Sequence, residues 1–236
     1  MPEILRFRTT WGIPPGPNFD NWKTWFPTLK KQGYFGVEID FACLPDPNLP
    51  ALRQVCEDAG LEVSVLFHTA WPGYAGPRPT GLTPDVVLGH YREQLQIAQA
   101  LKPFNYNAHS GSLRITADIS HWVVVCERLL DQGEEDKEIL KAIIPHVSHI
   151  HARVGTTQSS QCPDPTNPAF AAERAFFENF WKDCIKAHKS DDPITWVPEY
   201  GPFPYHPFGS ARDFSEVADT EGARLQPLFE EWAKGN

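Results

Sequence analysis

Three side chains able to hold or move a proton stand where short apolar runs end. Asp118 opens the segment Asp118-Ile-Ser-His121, His151 lies in His149-Ile-His151-Ala-Arg153, and Glu199 follows Trp196-Val-Pro. Side chains at i, i+2 and i+4 of an extended run share one face, so His149, His151 and Arg153 are expected to point the same way. Brought together, an aspartate, an imidazole and a glutamate form a donor set for a divalent metal ion such as Mn²⁺, Mg²⁺, Co²⁺ or Zn²⁺. Such a set suits proton transfer next to a carbonyl. The ion polarises carbonyl and hydroxyl oxygens while a carboxylate takes or returns the proton. Each segment also has a plainer reading. Asp118 would suit the N-terminus of a following helix, the His/Arg run a solvated strand end, and Glu199 an exposed surface acid.

Positioning these residues is the work of the elements around them. Short β-type runs at residues 4–10, 35–40, 61–68, 104–109, 113–118, 147–153 and 194–200 alternate with helical patterns. The helices are expected at 21–32, 49–59, 84–101, 121–130, 137–144, 169–187 and 221–233, with Thr83 capping the third and Pro84 at its first position. This order predicts βαβ units, a parallel sheet and an α/β fold of the (β/α)8 TIM-barrel type, as a single domain over residues 1–236. In such a barrel the working residues gather at the C-terminal strand ends, which adds Arg8, Trp11, Glu38, Asp40, His68, Asn107 and His109 to the candidates. One spacing departs from the pattern. The strands starting at 104 and 113 are 9 residues apart, too few for the crossover that parallel neighbours need. The barrel is therefore expected to be incomplete, with about seven strands and one βα unit missing after the fourth, unless the two segments form one bent strand or a hairpin.

Composition narrows the function classes. The chain of 236 residues is 41% hydrophobic, enough for a real core, and 30 acidic against 21 basic side chains leave a formal charge of −9. A surface rich in acid argues against nucleic acid or an anionic membrane as partner. No apolar run reaches the roughly 20 residues that cross a bilayer. Five scattered cysteines without CxxC spacing, and a start without a basic stretch leading into an apolar one, predict a reducing, cytoplasmic setting. The 23 prolines cluster with glycines around residues 13–17, 44–50, 71–84, 162–168 and 198–207, which marks ordered loops between elements.

Taken together, Gly36-Val-Glu-Ile39, Asn107-Ala-His-Ser-Gly111, Asp118-Ile-Ser-His121, His149-Ile-His151 and Pro198-Glu199 resemble the xylose isomerase-like TIM-barrel superfamily, the sugar phosphate isomerase/epimerase group. The resemblance implies a divalent metal held by Asp118, His151 and Glu199, with Glu199 also the acid/base that shuttles a substrate proton. It implies substrate contacts from His121 and Arg153, and a mouth lined by Trp11, Glu38, His68 and His109. The spacing of Arg153 from His151 departs from the family's arginine. The family's other glutamate ligand has no counterpart, because no glutamate occurs between Glu93 and Glu127 and the chain passes from Ser112 to Leu113 where that unit should stand.

The expected function is a metal-dependent sugar or polyol isomerase or epimerase, impaired by loss of one of two carboxylate bases. The alternative is a non-catalytic sugar-binding relic or a shortened isoform of such an enzyme. A DNA-repair branch of the same barrel is set aside on the −9 charge and the lack of a basic patch. A missing unit would leave unpaired strand edges, which predicts a homodimer that closes the gap or else poor solubility.

Overall fold

The computed structural model describes residues 2–41, 44, 48–68, 80–108 and 115–234. His109 and the junction between Ser112 and Leu113 therefore lie outside the described residues. The chain divides into two compact units, one spanning Phe7–Ser112 and the other Met1–Arg6 with Leu113–Asn236. Strand β1 (Ile4–Thr9) contributes its first residues to the second unit and its last residues to the first.

In the first unit, Phe7, Arg8 and Thr9 of β1 pair with β2 (Gly36–Asp40). Next, β2 pairs with β3 (Glu62–Phe67), and β3 with β4 (Asn105–Ala108). All of these pairings are parallel. Between them run α1 (Asp20–Lys31), α2 (Leu49–Asp58) and α3 (Pro84–Ala98). Every residue of β2 is buried, as expected of a parallel strand covered on both faces. Its apolar side chains Val37 and Ile39 join Val63, Val65, Trp22, Phe26 and Leu52 in one core. Helix starts follow the side chains available. Asn48 accepts from the Ala51 N–H at α2, and Thr83 accepts from the Val86 N–H at α3 with Pro84 next in line, as the sequence predicts.

In the second unit, Ile4, Leu5 and Arg6 pair with β7 (Ile194–Val197), β7 with β6 (Val147–His151), and β6 with β5 (Ile115–Ala117), again all parallel. The helices are α4 (Ser120–Cys126), α5 (Glu134–Ile143), α6 (Ala171–Ala187) and α7 (Phe214–Ala233). A core of Trp181, Phe177, Phe180, Phe229, Trp196 and Ile150 fills the space between α6, α7 and the strands.

The α/β class and the parallel pairing thus stand, while several boundaries move. Strand β6 stops at His151 rather than 153, because Arg153 turns back to donate its N–H to the His151 carbonyl at 3.0 Å. Helix α4 ends at Cys126, not near 130. Glu127 takes a left-handed φ of 52° there, after the β-branched run Val123-Val124-Val125 that crowds a helix. Helix α7 begins seven residues earlier than 221. Asp213 accepts from the Ser215 N–H and caps a first turn that buries Val217 and Ala218, which the expected start left out. The closely spaced segments near 104 and 113 are two separate strands, β4 on β3 in one unit and β5 on β6 in the other.

Candidate functional site

Three neighbouring strands of the second unit end in the residues singled out by type. Asp118 directly follows β5, His151 ends β6, and Glu199 lies two residues beyond β7. Each strand then breaks for a local reason. Pro198 follows β7 at once and has no N–H for a ladder. Helix α4 starts at Ser120 without a side-chain cap, so the Asp118 carboxylate is left for other partners. The segments after β6 and β7 are tied together by the buried Tyr200, whose hydroxyl accepts from the Val154 N–H at 3.1 Å.

The result is a buried ionic cluster centred on Arg153, whose side chain is 1% exposed. Its Nη2 lies 2.6 Å from Asp118 Oδ2 and its Nη1 2.9 Å from Glu199 Oε2. Its Nε donates to Ser120 Oγ at 3.1 Å, and that hydroxyl donates to Asp118 Oδ1 at 2.6 Å. His151 Nδ1 sits 3.2 Å from Glu199 Oε2 and 3.8 Å from Asp118 Oδ2. His121, on the first turn of α4, reaches in from the exposed side. Its Nε2 is 2.9 Å from Arg153 Nη2 and 3.2 Å from Asp118 Oδ2, and its side chain stays 43% exposed. Tyr205 covers the assembly, its ring centroid 5.4 Å from the guanidinium carbon and edge-on to His121 at 6.1 Å.

Electrostatics follow from this packing. Burial alone pushes the Asp118 carboxyl up, yet the Arg153 charge and the imidazoles of His121 and His151 outweigh it and hold the group well below the usual carboxylate range. Glu199 behaves alike. Burial raises it, Arg153 and His151 lower it further than burial raises it, and the net shift is downward. Both carboxylates are therefore ionised at neutral pH and act as acceptors. Arg153 is held protonated: burial opposes its charge, and Asp118 and Glu199 more than offset that.

The ligating atoms of Asp118, His151 and Glu199 all lie within 4.8 Å of one another. In donor type and spacing these residues fit a divalent cation. They would be the ones to hold it, against the competing presence of Arg153.

The cluster brings together Asp118, His121, His151, Arg153 and Glu199 of the expected site. Trp11, Glu38 and His68 belong to the first unit. There Glu38 is fully buried on β2, the Trp11 N–H donates to Thr9 Oγ1 at 3.1 Å, and His68 Nε2 stands 3.7 Å from Asp40 Oδ1. Sequence reasoning missed Ser120 and Tyr205. Ser120 stands inside a quoted motif, but its role is defined by an arginine 33 positions later. Tyr205 carries no spacing signal in its proline-rich loop. That loop is anchored by Gln161, which exchanges two hydrogen bonds with the main chain of Gly201, at 2.9 and 3.1 Å.

No protein-family profile matches the chain, and no curated protein matches it. Among solved structures it is similar to an α-L-fucosidase of family GH29 from Bacteroides thetaiotaomicron, with a TM-score of 0.36 and 11% sequence identity. That similarity covers 92% of this chain and 61% of the other, so the chain spans about three fifths of the length of the protein it matches. The resemblance to the xylose isomerase-like superfamily is corrected here: no family profile supports it. Its motifs are two to five residues long, and polar side chains gather at the C-terminal ends of parallel strands in unrelated α/β proteins. Arg153, whose spacing departs from the family's, sits between the two carboxylates on which the resemblance leaned.

Proposed function

We propose that the Asp118–His151–Glu199 cluster holds a divalent metal ion and moves a proton next to a carbonyl of a small sugar or polyol. The observation that carries this reading is the convergence of an aspartate, an imidazole and a glutamate from three adjacent strand ends, with ligating atoms within 4.8 Å of one another. When bound, the ion would polarise the carbonyl and neighbouring hydroxyl oxygens of the substrate. Glu199, ionised and buried, is the group that receives the proton from carbon. His121 has one side open to solvent and hydrogen-bonds a substrate hydroxyl. Glu199 is the one carboxylate of the cluster assigned to proton transfer, as ligand and base together, while Asp118 serves as ligand alone, so turnover is slow. The incomplete (β/α)8 barrel expected from the strand order, a cytoplasmic setting and pairing as a homodimer belong to the same proposal.

The test is elemental analysis of protein dialysed against Mn²⁺ or Co²⁺, followed by incubation with a ketose panel in D₂O. The expected result is bound metal, and slow deuterium incorporation beside the carbonyl that falls about 10²–10⁴-fold in Glu199→Gln. A second reading, sugar binding without chemistry, is favoured by the neutralisation of both carboxylates by Arg153. It predicts no exchange in either protein and sugar binding that survives Glu199→Gln.

A further inference from the structure

We propose that Arg153 is the resident cation of this cluster, and that the guanidinium and a divalent metal ion are alternative occupants of the same two carboxylate oxygens. The proposal rests on the metal reading above and adds how the metal gains entry. Asp118 Oδ2 and Glu199 Oε2 are the oxygens nearest His151 Nδ1, at 3.8 and 3.2 Å. They are also the oxygens that Arg153 engages, at 2.6 and 2.9 Å. An ion bound to these three donors at about 2.0–2.2 Å stands next to the guanidinium nitrogens. In a site where Arg153 is 1% exposed, water does little to screen that repulsion.

Arginine does not relieve such a conflict by losing its proton, so it must leave the oxygens. The structure supplies holds for it after release. Ser120 Oγ retains Nε, and the Tyr205 ring lies over the guanidinium with its centroid 5.4 Å from the guanidinium carbon. In the metal-free protein Arg153 keeps two buried carboxylates paired. The same pairing lowers the apparent metal affinity by the fraction of molecules in which the arginine is already displaced.

The decisive measurement is Mn²⁺ binding, by calorimetry and electron paramagnetic resonance, to the wild-type protein, Arg153→Met and Glu199→Gln, each checked for folding by circular dichroism. Arg153→Met is expected to bind Mn²⁺ about ten-fold or more tightly than wild type. Equal or weaker binding by Arg153→Met overturns the proposal while leaving the metal reading in place, provided Glu199→Gln abolishes binding. Absence of Mn²⁺ binding in wild type and Arg153→Met alike overturns both. Because Arg153→Met strips two buried carboxylates of their counter-ion, a measurement on the wild type stands beside it. The arginine Nε–H resonances are followed during titration with Mg²⁺, with Arg153 assigned by its loss in Arg153→Lys. The Arg153 signal is expected to shift and to exchange faster with water as Mg²⁺ binds; a signal unmoved at saturation overturns the proposal.

Discussion

At Ser120 one hydroxyl serves two charged neighbours, donating to Asp118 Oδ1 at 2.6 Å and accepting from Arg153 Nε at 3.1 Å. The residue is fully buried, so water has no ready access to replace it. Alanine there leaves a carboxylate oxygen and a guanidinium N–H each short of one partner. Hydrogen bonds to charged groups contribute about 1.5–3 kcal/mol, and the unsatisfied groups add their own desolvation cost. Ser120→Ala is expected to lose about 2–3 kcal/mol of stability, seen as a lower urea midpoint with an unchanged slope. A midpoint equal to that of wild type would mean the hydroxyl is not what holds the arginine. The identities of the charged residues were legible from their types and strand-end positions. The neutral residues that orient them were not, because Ser120 and Tyr205 act through a partner far away in sequence and have no chemistry of their own to betray them.

Among the elements, β2 shows how a strand that ends in acids is held in place by its first residue. A Cβ on Gly36 would lie 2.3 Å from the main-chain oxygen of Glu62 on β3 and 2.5 Å from the Phe7 ring on β1. Neither neighbour can give way: the oxygen belongs to the adjoining parallel strand, and Phe7 is wedged against Phe35 and Phe104 at centroid distances of 5.6 and 6.1 Å. Gly36→Ala is expected to destabilise the protein by about 3 kcal/mol or to prevent soluble expression. Gly89 in α3 is the control. Nothing lies within 4 Å of an added Cβ there, so Gly89→Ala is expected to raise stability by about 0.5–1 kcal/mol in the same thermal melts. Equal melting shifts for the two variants would refute the steric account. At this scale the sequence was informative about which elements exist, since alternating and helical apolar patterns report burial directly. It was less so about where they end. The stop of α4 depends on a single left-handed residue, and the start of α7 on the Asp213 side-chain cap.

For the whole molecule, the chain's surplus of acid and the buried ionic cluster around Arg153 bear on the same variable, pH. Asp118 and Glu199 have carboxyls held below their ordinary values in the folded protein, chiefly because Arg153 overcomes the effect of burial. A group depressed on folding stabilises the native state fully above its unfolded pKa, near 4 for these side chains, and loses that contribution as pH falls towards the folded value. Over the same range the 30 acidic side chains neutralise while the 21 lysines and arginines stay charged, so the excess of negative charge becomes an excess of positive charge. Both effects point the same way, and unfolding is expected only below about pH 4, followed by near-ultraviolet circular dichroism. Arg153→Met separates them. The variant changes the overall charge by one, too little to alter the self-repulsion much, yet it removes the largest of the influences that oppose burial at Asp118 and Glu199 and leaves only the imidazoles. Their carboxyls then rise relative to the wild type, and the stability gained as pH rises through the unfolded pKa becomes smaller. Arg153→Met should therefore gain less stability than the wild type between about pH 4 and neutrality, so that its pH profile is flatter over that range. Parallel pH profiles for the two proteins would show that the cluster contributes nothing to stability and that acid unfolding is set by the total charge alone.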